Sequence, residues 1–379
     1  MVEIPDRTER FLREYSGPTP YLVLDLDVVR AQLERMRSCF PAATVYYAVK
    51  ANPAPAILTT LAELGADFDL ASAGEMERCR ALGVPTARCS FGNTIKREAD
   101  IAAAYAAGLN LFAFDSAAEL DKMRRTAPGA RVFCRLAVEN QGARWPLSRK
   151  FGCSVETACH LVRQARTDGL RPCGLSFHVG SQQTEPREWA RAIGRCGEVF
   201  RSCAHVGIAL EFLNLGGGLP AQYRDPVLPL EAYAETIEGA LVETFGSARP
   251  EILIEPGRAM VGDAGILRST VLLISRRPEH AARRWVYLDA GRYNGLTETF
   301  DERIQYRLRT AHDGSECEAA ILAGPTCDSV DVIYDKAAYA LPRKLALGDT
   351  IDFLSAGAYT ASYASVEFNG FAPLKTHCI

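Results

Sequence analysis

The chain has 379 residues, of which 48% are hydrophobic and 23% are charged, and its formal net charge at pH 7 is −3. This composition is typical of a globular protein, and the small negative charge argues against a nucleic acid or an anionic membrane as partner. The length predicts two or three domains. Residues 1–7 lack the apolar stretch of a signal peptide, and no apolar run is long enough to span a membrane, so we expect a cytoplasmic protein.

The twelve cysteines include no pair at C-x-x-C spacing. The closer pairs, Cys153 with Cys159 and Cys196 with Cys203, lack histidines at the spacing of a zinc site, so no metal is predicted. In a reducing cytosol these thiols are expected to stay free.

The first forty residues predict a strand at 19–25 and a helix at 26–40, and an alternating pattern then runs from residue 44 to about residue 255. Its strands are predicted at 44–49, 66–70, 88–91, 111–114, 131–138, 173–178, 211–215 and 251–254. Amphipathic helices are predicted between them at 54–64, 73–82, 96–107, 116–125, 154–167, 187–205 and 230–245. Eight such βα repeats predict an α/β fold built on a (β/α)8 TIM-like barrel. The alternative is an open doubly wound sheet, which would need a phosphate-binding glycine motif where residues 50–53 stand.

The pattern changes after residue 255. Apolar, β-forming segments at 267–275, 285–288, 318–323 and 350–353 show little helical periodicity and predict a mainly antiparallel C-terminal β domain. We expect this domain to recruit the N-terminal strand, so the predicted division assigns 27–265 to the barrel and 1–26 with 266–379 to the β domain. One long segment without periodicity, 139–152, interrupts the barrel, and loops of this length are usually functional or mobile.

Polar side chains follow the predicted barrel strands at the carboxyl ends, where the chemistry of this architecture takes place. In chain order they are Lys50 at the end of the first strand, Asp69, Arg135, His178, the glycines 216–218, and Glu255 to Arg258 after the eighth strand. Burying a lysine ammonium is costly, so Lys50 either reaches solvent, is paired, or is neutral and reactive.

Consecutive glycines let backbone N–H groups approach an anion, and the loops after strands seven and eight usually bind phosphate in this architecture. Arg258 and Ser181 would add donors. A phosphate site, an imine-forming lysine and a carboxylate at one rim indicate pyridoxal phosphate, with Glu255 as the partner of the pyridine nitrogen. From the residues alone, Glu255 in a structural salt bridge and His178 as a hydrogen-bonded core residue stay open as alternatives.

The β domain adds a cysteine in an unusual setting. Residues 324–331 read GPTCDSVD, which places Cys327 among turn residues and next to Asp328. These two side chains are candidates for a proton donor and a cation ligand, respectively.

Seven motifs occur in order: YAVKAN at 47–52, FHVGS at 177–181, LGGG at 215–218, EPGR at 255–258, GPTCD at 324–328, GAY at 357–359 and FNGF at 368–371. Together, from about residue 20 to the C-terminus, they resemble the ornithine decarboxylase group of fold type III pyridoxal phosphate enzymes, in its shorter bacterial form. The resemblance implies an alanine-racemase-like pair of domains, a barrel and a β domain.

The resemblance also implies roles for individual residues. Lys50 would form the Schiff base with pyridoxal 5'-phosphate, Cys327 would be the proton donor, and Asp328 would bind the distal amine of the substrate. The cofactor contacts it implies are Asp69, Arg135, His178, Ser181, Gly217, Gly218, Glu255, Gly257, Arg258 and Tyr359. Further implied substrate contacts are Tyr293, Phe368 and one of two neighbouring acids, Asp301 or Glu302.

In this family the cysteine and aspartate come from the partner subunit. The resemblance therefore implies a homodimer with two shared sites and a contact between Lys150 and Asp331 across the interface. The implied reaction is the decarboxylation of L-ornithine to putrescine and CO2, a step of polyamine biosynthesis. Decarboxylation of lysine, or of both substrates, is the alternative, because one methylene is worth only about 1–3 kcal/mol of discrimination.

Three other interpretations are weighed against it. Diaminopimelate decarboxylases typically carry Cys-Glu-Ser where residues 327–329 read Cys-Asp-Ser, and alanine racemase has an arginine in the role of Glu255. A catalytically inactive relative that binds a regulator is the third, and the presence of Lys50, Glu255 and Cys327 argues against it.

Overall fold

The computed structural model describes residues 4–147, 149–277 and 282–379. They divide into two compact units. The barrel unit consists of Arg30–Pro220 and Leu228–Ala259, and the β unit consists of the described part of Met1–Val29 with Ala221–Val227 and Met260–Ile379. The β unit thus includes a short segment, Ala221–Val227, that the sequence-based division left in the barrel. None of the described helices combines the length and the apolar character needed to cross a membrane.

Strands and helices are numbered separately in chain order. The strands are β1 (Tyr21–Leu24), β2 (Ala43–Ala48), β3 (Asp67–Leu70), β4 (Cys89–Phe91), β5 (Leu111–Phe114), β6 (Arg131–Arg135), β7 (Ala143–Trp145), β8 (Arg171–Ser176), β9 (Ser181–Gln183), β10 (Phe212–Asn214), β11 (Glu251–Ile254), β12 (Gly265–Arg276), β13 (Arg284–Leu288), β14 (Leu308–Thr310), β15 (Cys317–Ala323), β16 (Val332–Pro342), β17 (Thr350–Leu354) and β18 (Lys375–Cys378). The helices are α1 (Asp6–Glu14), α2 (Leu26–Cys39), α3 (Pro55–Glu63), α4 (Ala73–Ala81), α5 (Glu98–Ala106), α6 (Ala117–Thr126), α7 (Val155–Thr167), α8 (Arg187–His205), α9 (Leu230–Phe245) and α10 (Arg258–Val261).

Eight parallel strands close the predicted barrel in the order β10-β11-β2-β3-β4-β5-β6-β8. Each was predicted from its short apolar run, and so were the seven helices α3 to α9. Side chains fill the interior: Phe133 of β6 and Phe212 of β10 meet edge to face, with ring centroids 5.6 Å apart. Gly174 of β8 is needed beside them, because a Cβ there would lie 2.6 Å from the Phe212 ring.

Serine caps start three of the barrel helices. The hydroxyl oxygens of Ser72, Ser116 and Ser154 accept hydrogen bonds from backbone N–H groups in the first turns of α4, α6 and α7. In α4 and α6 the residue three positions later is a glutamate, so the sequence there has the spacing of a capping box. These local signals fix where each helix begins after its strand.

The β unit contains a sheet of eight described strands. Its main path runs β14-β17-β12-β13-β15-β16, and β1 pairs antiparallel with β12 and parallel with β18. The predicted recruitment of the N-terminal strand is therefore confirmed, and most pairings are antiparallel, as expected. Apolar side chains of α1, β1, β12 and β17 pack together as Leu12, Tyr21, Val23, Ile266 and Leu354.

The segment 139–152, which showed no periodic pattern, contains a short strand. This strand, β7, pairs antiparallel with β9, which follows β8 almost directly. Strand β7 has only three residues and is only partly buried, so it leaves no two-residue periodicity in the sequence.

We expect Trp189→Ala to lower the free energy of unfolding of the barrel unit by about 3–5 kcal/mol, as the removal of a buried tryptophan usually does. Trp189 of α8 is 1% exposed and meets the ring of Tyr233 of α9 edge to face. Urea unfolding followed by circular dichroism measures the change. The control is Val242→Ala on α9, where the side chain is 58% exposed and the loss should stay within about 0.5 kcal/mol. Equal losses in the two variants would contradict the packing argument.

Candidate active site

Lys50 lies in a short 3-10 helix, Val49–Ala51, and not at the last residue of a strand as predicted, because β2 already ends at Ala48. Its side chain is 41% exposed, and its Nζ atom is 2.9 Å from Oδ2 of Asp69. The turn after Lys50 is fixed by Asn52, whose carbonyl accepts a hydrogen bond from the Tyr47 hydroxyl. Of the three states considered for this lysine, the structure shows the paired one.

Asp69 of β3 is buried beneath this lysine. Its second carboxylate oxygen lies 3.4 Å from the hydroxyl of Ser90 on β4, which donates to it. The next turn must leave room for the carboxylate, since a Cβ at Gly92 would lie 2.0 Å from Oδ1 of Asp69. The sequence analysis missed Ser90 and Gly92, because only the pairing of β3 with β4 brings them to Asp69.

Glu255 follows β11 and faces the same group. Burial raises the pKa of its carboxyl to about 7, and the negative charge of Asp69 acts in the same direction. The charges of Lys50 and Arg135 and a hydrogen bond from the Asn214 side chain oppose that rise. The carboxylate is therefore about half ionised near pH 7 in the ligand-free protein.

His178, two residues after β8, is a neutral imidazole. Its Nδ1 accepts a hydrogen bond of 3.0 Å from the backbone N–H of Gly180, which places the ring proton on Nε2. Burial, and then the positive charges of Arg135 and Lys50, hold its pKa well below the usual range. A neutral aromatic ring at this position can stack on a bound ring.

Arg135 ends β6, and its guanidinium lies 5.0 Å from the ring centroid of Phe151. This cation–π contact joins the strand to the end of the long segment 139–152. Burial lowers the pKa of Arg135, and the carboxylates of Glu255, Asp115 and Asp69 act against that shift. The arginine is thus a half-buried cation that faces the site's acids.

The three glycines after β10 form a narrow turn. Gly216 and Gly218 have φ of +65° and +109°, which favour glycine. A Cβ at Gly217 would lie 2.6 Å from the carbonyl oxygen of Glu255, and one at Gly218 would lie 2.5 Å from that of Gly180. No larger residue fits this turn without displacing backbone.

A buried arginine accompanies the glycine turn. Nη2 of Arg258 donates a hydrogen bond of 3.0 Å to the hydroxyl of Ser181, and Gly257 before it is also buried. The glycine turn, Ser181 and Arg258 supply the backbone and cationic donors that an anionic group needs. We call this group the anion cradle.

Three of the predicted substrate residues and the predicted proton donor lie together in the β unit. The Tyr293 hydroxyl donates a hydrogen bond of 2.8 Å to Oδ2 of Asp328, and the Tyr293 ring centroid is 4.4 Å from that of Phe368. The backbone N–H of Cys327 donates to the side chain of Asn369, and the cysteine itself is exposed. Hydrogen bonds, first from the Val330 N–H and then from Tyr293, hold the pKa of the Asp328 carboxyl below its usual range.

The two neighbouring acids considered for the substrate's distal end differ sharply. Glu302 is buried, and its carboxylate accepts hydrogen bonds from the backbone N–H groups of Asp335, Lys336 and Ala337 in β16. The Asp301 side chain is 76% exposed and has Arg303 at 3.7 Å. Glu302 therefore stabilises a strand within the β unit, and Asp301 is the acid exposed to solvent.

Asp331 organises the loop that carries the cysteine. Its buried carboxylate accepts hydrogen bonds from the N–H and hydroxyl of Thr326 and from the N–H of Arg292. Gly291 and Gly324 flank it closely, since a Cβ at either would lie within 2.4 Å of a carboxylate oxygen. This role was missed, because the sequence analysis assigned the aspartate only to a subunit interface.

The resemblance also names Lys150 and Tyr359, and these two residues lie in different units. Lys150 is in the barrel unit, with Nζ 5.0 Å from the centroid of the Phe151 ring. Tyr359 is in the β unit, is partly buried, and has a φ of +55°.

The barrel unit thus combines an amine, a half-ionised carboxylate, a neutral imidazole and an anion cradle. These groups fit a phosphorylated pyridine aldehyde: the Lys50 amine can bond to the aldehyde, the Glu255 carboxylate can accept a ring N–H, and the cradle can bind the phosphate. The glycines at 217 and 218 support this fit. A Cβ at either position would clash with backbone, and the absence of side chains keeps the backbone N–H groups accessible to the anion.

The raised pKa of Glu255 predicts a pH-dependent loss of stability. Between its unfolded pKa of about 4.3 and its folded pKa of about 7, the unfolded chain ionises Glu255 while the folded protein keeps it protonated, so stability falls over this range and stays low above it. Glu255→Gln should therefore raise the thermal midpoint of the ligand-free protein by more at about pH 8 than at about pH 4. Scanning calorimetry measures this.

The matched control is Glu251→Gln, at the exposed start of the same strand, which should change the midpoint equally little at both pH values. A Glu255→Gln effect that is independent of pH would show that the carboxyl is not buried at a cost.

Comparison with known proteins agrees with this chemistry. Residues 26–262 match the family model described as pyridoxal-dependent decarboxylase, pyridoxal binding domain. The chain is 36% identical over 355 residues to the lysine/ornithine decarboxylase of Selenomonas ruminantium, covering 93% of this chain and 88% of that protein. It is 34% identical over 361 residues to the ornithine decarboxylase of Schizosaccharomyces pombe, covering 93% and 81%.

Solved structures give the same result. The lysine/ornithine decarboxylase of Vibrio vulnificus complexed with cadaverine superposes with a TM-score of 0.87 at 35% identity, covering 98% of this chain and 97% of that one. Its complex with putrescine matches to the same extent. The barrel and the antiparallel β unit agree with these relatives, and the chain belongs to the pyridoxal phosphate-dependent decarboxylases of basic amino acids, the family of the ornithine and lysine decarboxylases.

Proposed function

We propose that the chain decarboxylates L-ornithine to putrescine and CO2, as a cytoplasmic enzyme of polyamine biosynthesis. The observation that carries this proposal is the partly exposed carboxylate of Asp328, which Tyr293 and the Val330 N–H keep ionised. An ionised carboxylate attracts the distal ammonium of a diamino acid. It repels the distal carboxylate of diaminopimelate, which argues against the sister activity.

L-Lysine is the second candidate substrate. The relatives from Selenomonas ruminantium and Vibrio vulnificus are named lysine/ornithine decarboxylases, and the latter was solved with both cadaverine and putrescine. Lysine differs from ornithine by one methylene, which is worth only about 1–3 kcal/mol. We propose Asp301, rather than Glu302, as the second acid near the distal amine, because the carboxylate of Glu302 already binds the backbone of β16.

The barrel residues hold the cofactor. Bound pyridoxal phosphate supplies an electron sink for the electron pair that remains when CO2 departs. In our proposal, the Lys50 amine would bond to the cofactor's aldehyde, the Glu255 carboxylate would accept the pyridine N–H, and the neutral His178 would contact the ring. Asp69 and Arg135 would balance the charges of the groups that surround the cofactor. The proposed phosphate contacts are Ser181, Gly217, Gly218, Gly257, Arg258 and Tyr359.

Cys327 is the proposed proton donor to the α-carbon. Its thiol is exposed, so it is available to a substrate. Its backbone is held from two directions, since Asn369 accepts its N–H and Asp331 binds the preceding Thr326. Fixing the backbone in this way reduces the freedom of the thiol before the reaction.

We propose that the active unit is a homodimer in which Cys327 and Asp328 of one subunit complete the site of the other. Among the described residues, the Asp331 carboxylate accepts three hydrogen bonds within its own chain. A carboxylate has about four acceptor positions, so one is left for Lys150 of the second subunit.

A product assay tests the substrate. With ornithine, lysine, arginine and diaminopimelate supplied separately, we expect putrescine to form fastest and cadaverine to follow within about 10–200-fold in kcat/KM. Asp328→Asn should lower kcat/KM for ornithine by about tenfold or more, because it removes a charge from the distal contact. The control is Asp313→Asn, an exposed acid of the β unit bound to Thr310.

Two results would refute the proposal. If diaminopimelate were turned over faster than ornithine, Asp328 would not be the contact for a distal ammonium. The absence of product from all four amino acids, from protein that shows no cofactor absorbance, would favour the inactive regulator-binding relative.

Complementation tests the shared sites. Lys50→Ala and Cys327→Ala should each be nearly inactive, while Cys327→Ala still binds the cofactor. When equal amounts of the two variants exchange subunits at random, half of the dimers are heterodimers. Each heterodimer has one intact site and one doubly mutated site, so about a quarter of the wild-type activity should return. Differently tagged chains prove that heterodimers form, and no recovery in their presence would place each site within one chain.

A further inference from the structure

Asn214, the last residue of β10, holds two parts of the site with one side chain. The residue is 1% exposed. Its Nδ2 donates a hydrogen bond to Oε1 of Glu255, and its Oδ1 accepts one of 2.8 Å from the backbone N–H of Gly216. Both ends of the amide are thus used, one on the carboxylate and one on the anion cradle.

The same two neighbours are also joined to each other. The N–H of Glu255 donates to the carbonyl of Gly216 at 2.8 Å, next to the paired strands β10 and β11. Gly216 has a φ of +65°, and a Cβ there would lie 2.1 Å from the carbonyl oxygen of Phe177. The amide of Asn214 therefore closes a small ring of hydrogen bonds through a turn that cannot relax.

We propose that Asn214 is a positioning residue that orients the Glu255 carboxylate, favours its ionised form, and couples it to the glycine turn of the anion cradle. The inference rests on the proposed role of Glu255 as partner of the pyridine nitrogen. It does not depend on which amino acid is the substrate.

Electrostatics explain why a neutral amide suits this position. The charged groups that face Glu255 are Lys50 from the turn after β2, Asp69 from β3 and Arg135 from β6. Burial and Asp69 favour the protonated carboxyl, and the two cations oppose them. An N–H donor favours the ionised form without adding another charge to a buried site.

A purely structural asparagine would hold the Gly216 turn and leave the protonation of Glu255 unchanged. The two roles therefore differ in their effect on pH dependence. Binding of pyridoxal phosphate to the cofactor-free protein, followed by absorbance, gives that dependence without any measurement of turnover.

We expect Asn214→Ala to weaken cofactor binding by about tenfold or more near neutral pH, since it removes a hydrogen bond to a charged group. The loss of binding on the acid side should move to higher pH by about one unit, because Glu255 then holds its proton longer. The control is Asn110→Ala, which removes an asparagine bond to the Arg131 N–H and should bind as wild type does. A folded Asn214→Ala variant with wild-type affinity and pH dependence would overturn the proposal.

Asn214→Asp is the conservative variant, and it also decides the question if the alanine variant does not fold. An aspartic acid that keeps its proton can still donate to Glu255 and accept from Gly216, so binding should lie close to wild type at about pH 6. As the pH rises to about 9, the proton is lost, two carboxylates face each other, and affinity should fall relative to wild type. A constant ratio of the two affinities over this range would overturn the proposal.

The variant Glu255→Gln separates the proposed role of Glu255 as partner of the pyridine nitrogen from the proposed role of Asn214. If Glu255→Gln alone leaves cofactor affinity and its pH dependence unchanged, the proposed role of Glu255 fails. If that variant weakens binding, Asn214→Ala should cost much less in the Glu255→Gln background than in the wild type, because the residues act through one contact. Fully additive losses would overturn the role of Asn214 and leave that of Glu255 intact.

Discussion

The site depends on the parallel pairing of β11 with β2, which brings together two segments about two hundred residues apart in the chain. Residues Ile252–Ile254 align with Ala43–Val45, and the Ala48 N–H donates to the carbonyl of Pro256. This pairing sets Glu255 beside the turn that carries Lys50. The positive charge of Lys50 then opposes the rise that burial causes in the pKa of Glu255. Without barrel closure, neither group would have its present chemistry.

Local patterns were sufficient to predict most of the fold. Short apolar runs gave all eight barrel strands, and amphipathic periodicity gave the seven helices that follow them. The strands that escaped prediction, β7, β9, β14, β16 and β18, are short or mix polar with apolar residues. In β16 the pairing with β15 shifts register between Ala320 and Ala323, so a regular two-residue period cannot form.

Candidate site residues could be recognised in the sequence where a residue with a reactive or ionisable group follows a barrel strand, as Lys50, His178 and Glu255 do. It was not predictable where a role comes from contacts between elements. Asn214 looks like any strand-end asparagine until β10 and β11 align, and Glu302 resembles Asp301 until β16 binds its carboxylate. Hydrogen bonds of this kind join residues far apart in sequence, and no local pattern encodes them.

Asp331 and its two flanking glycines have an evolutionary consequence. The carboxylate lies so close to Gly291 and Gly324 that neither glycine can gain a side chain while the aspartate keeps its three hydrogen bonds. These three positions therefore constrain one another's substitutions. Among homologous sequences they should be retained or replaced as a set, and their joint presence marks a lineage in which the cysteine-bearing loop has kept this conformation.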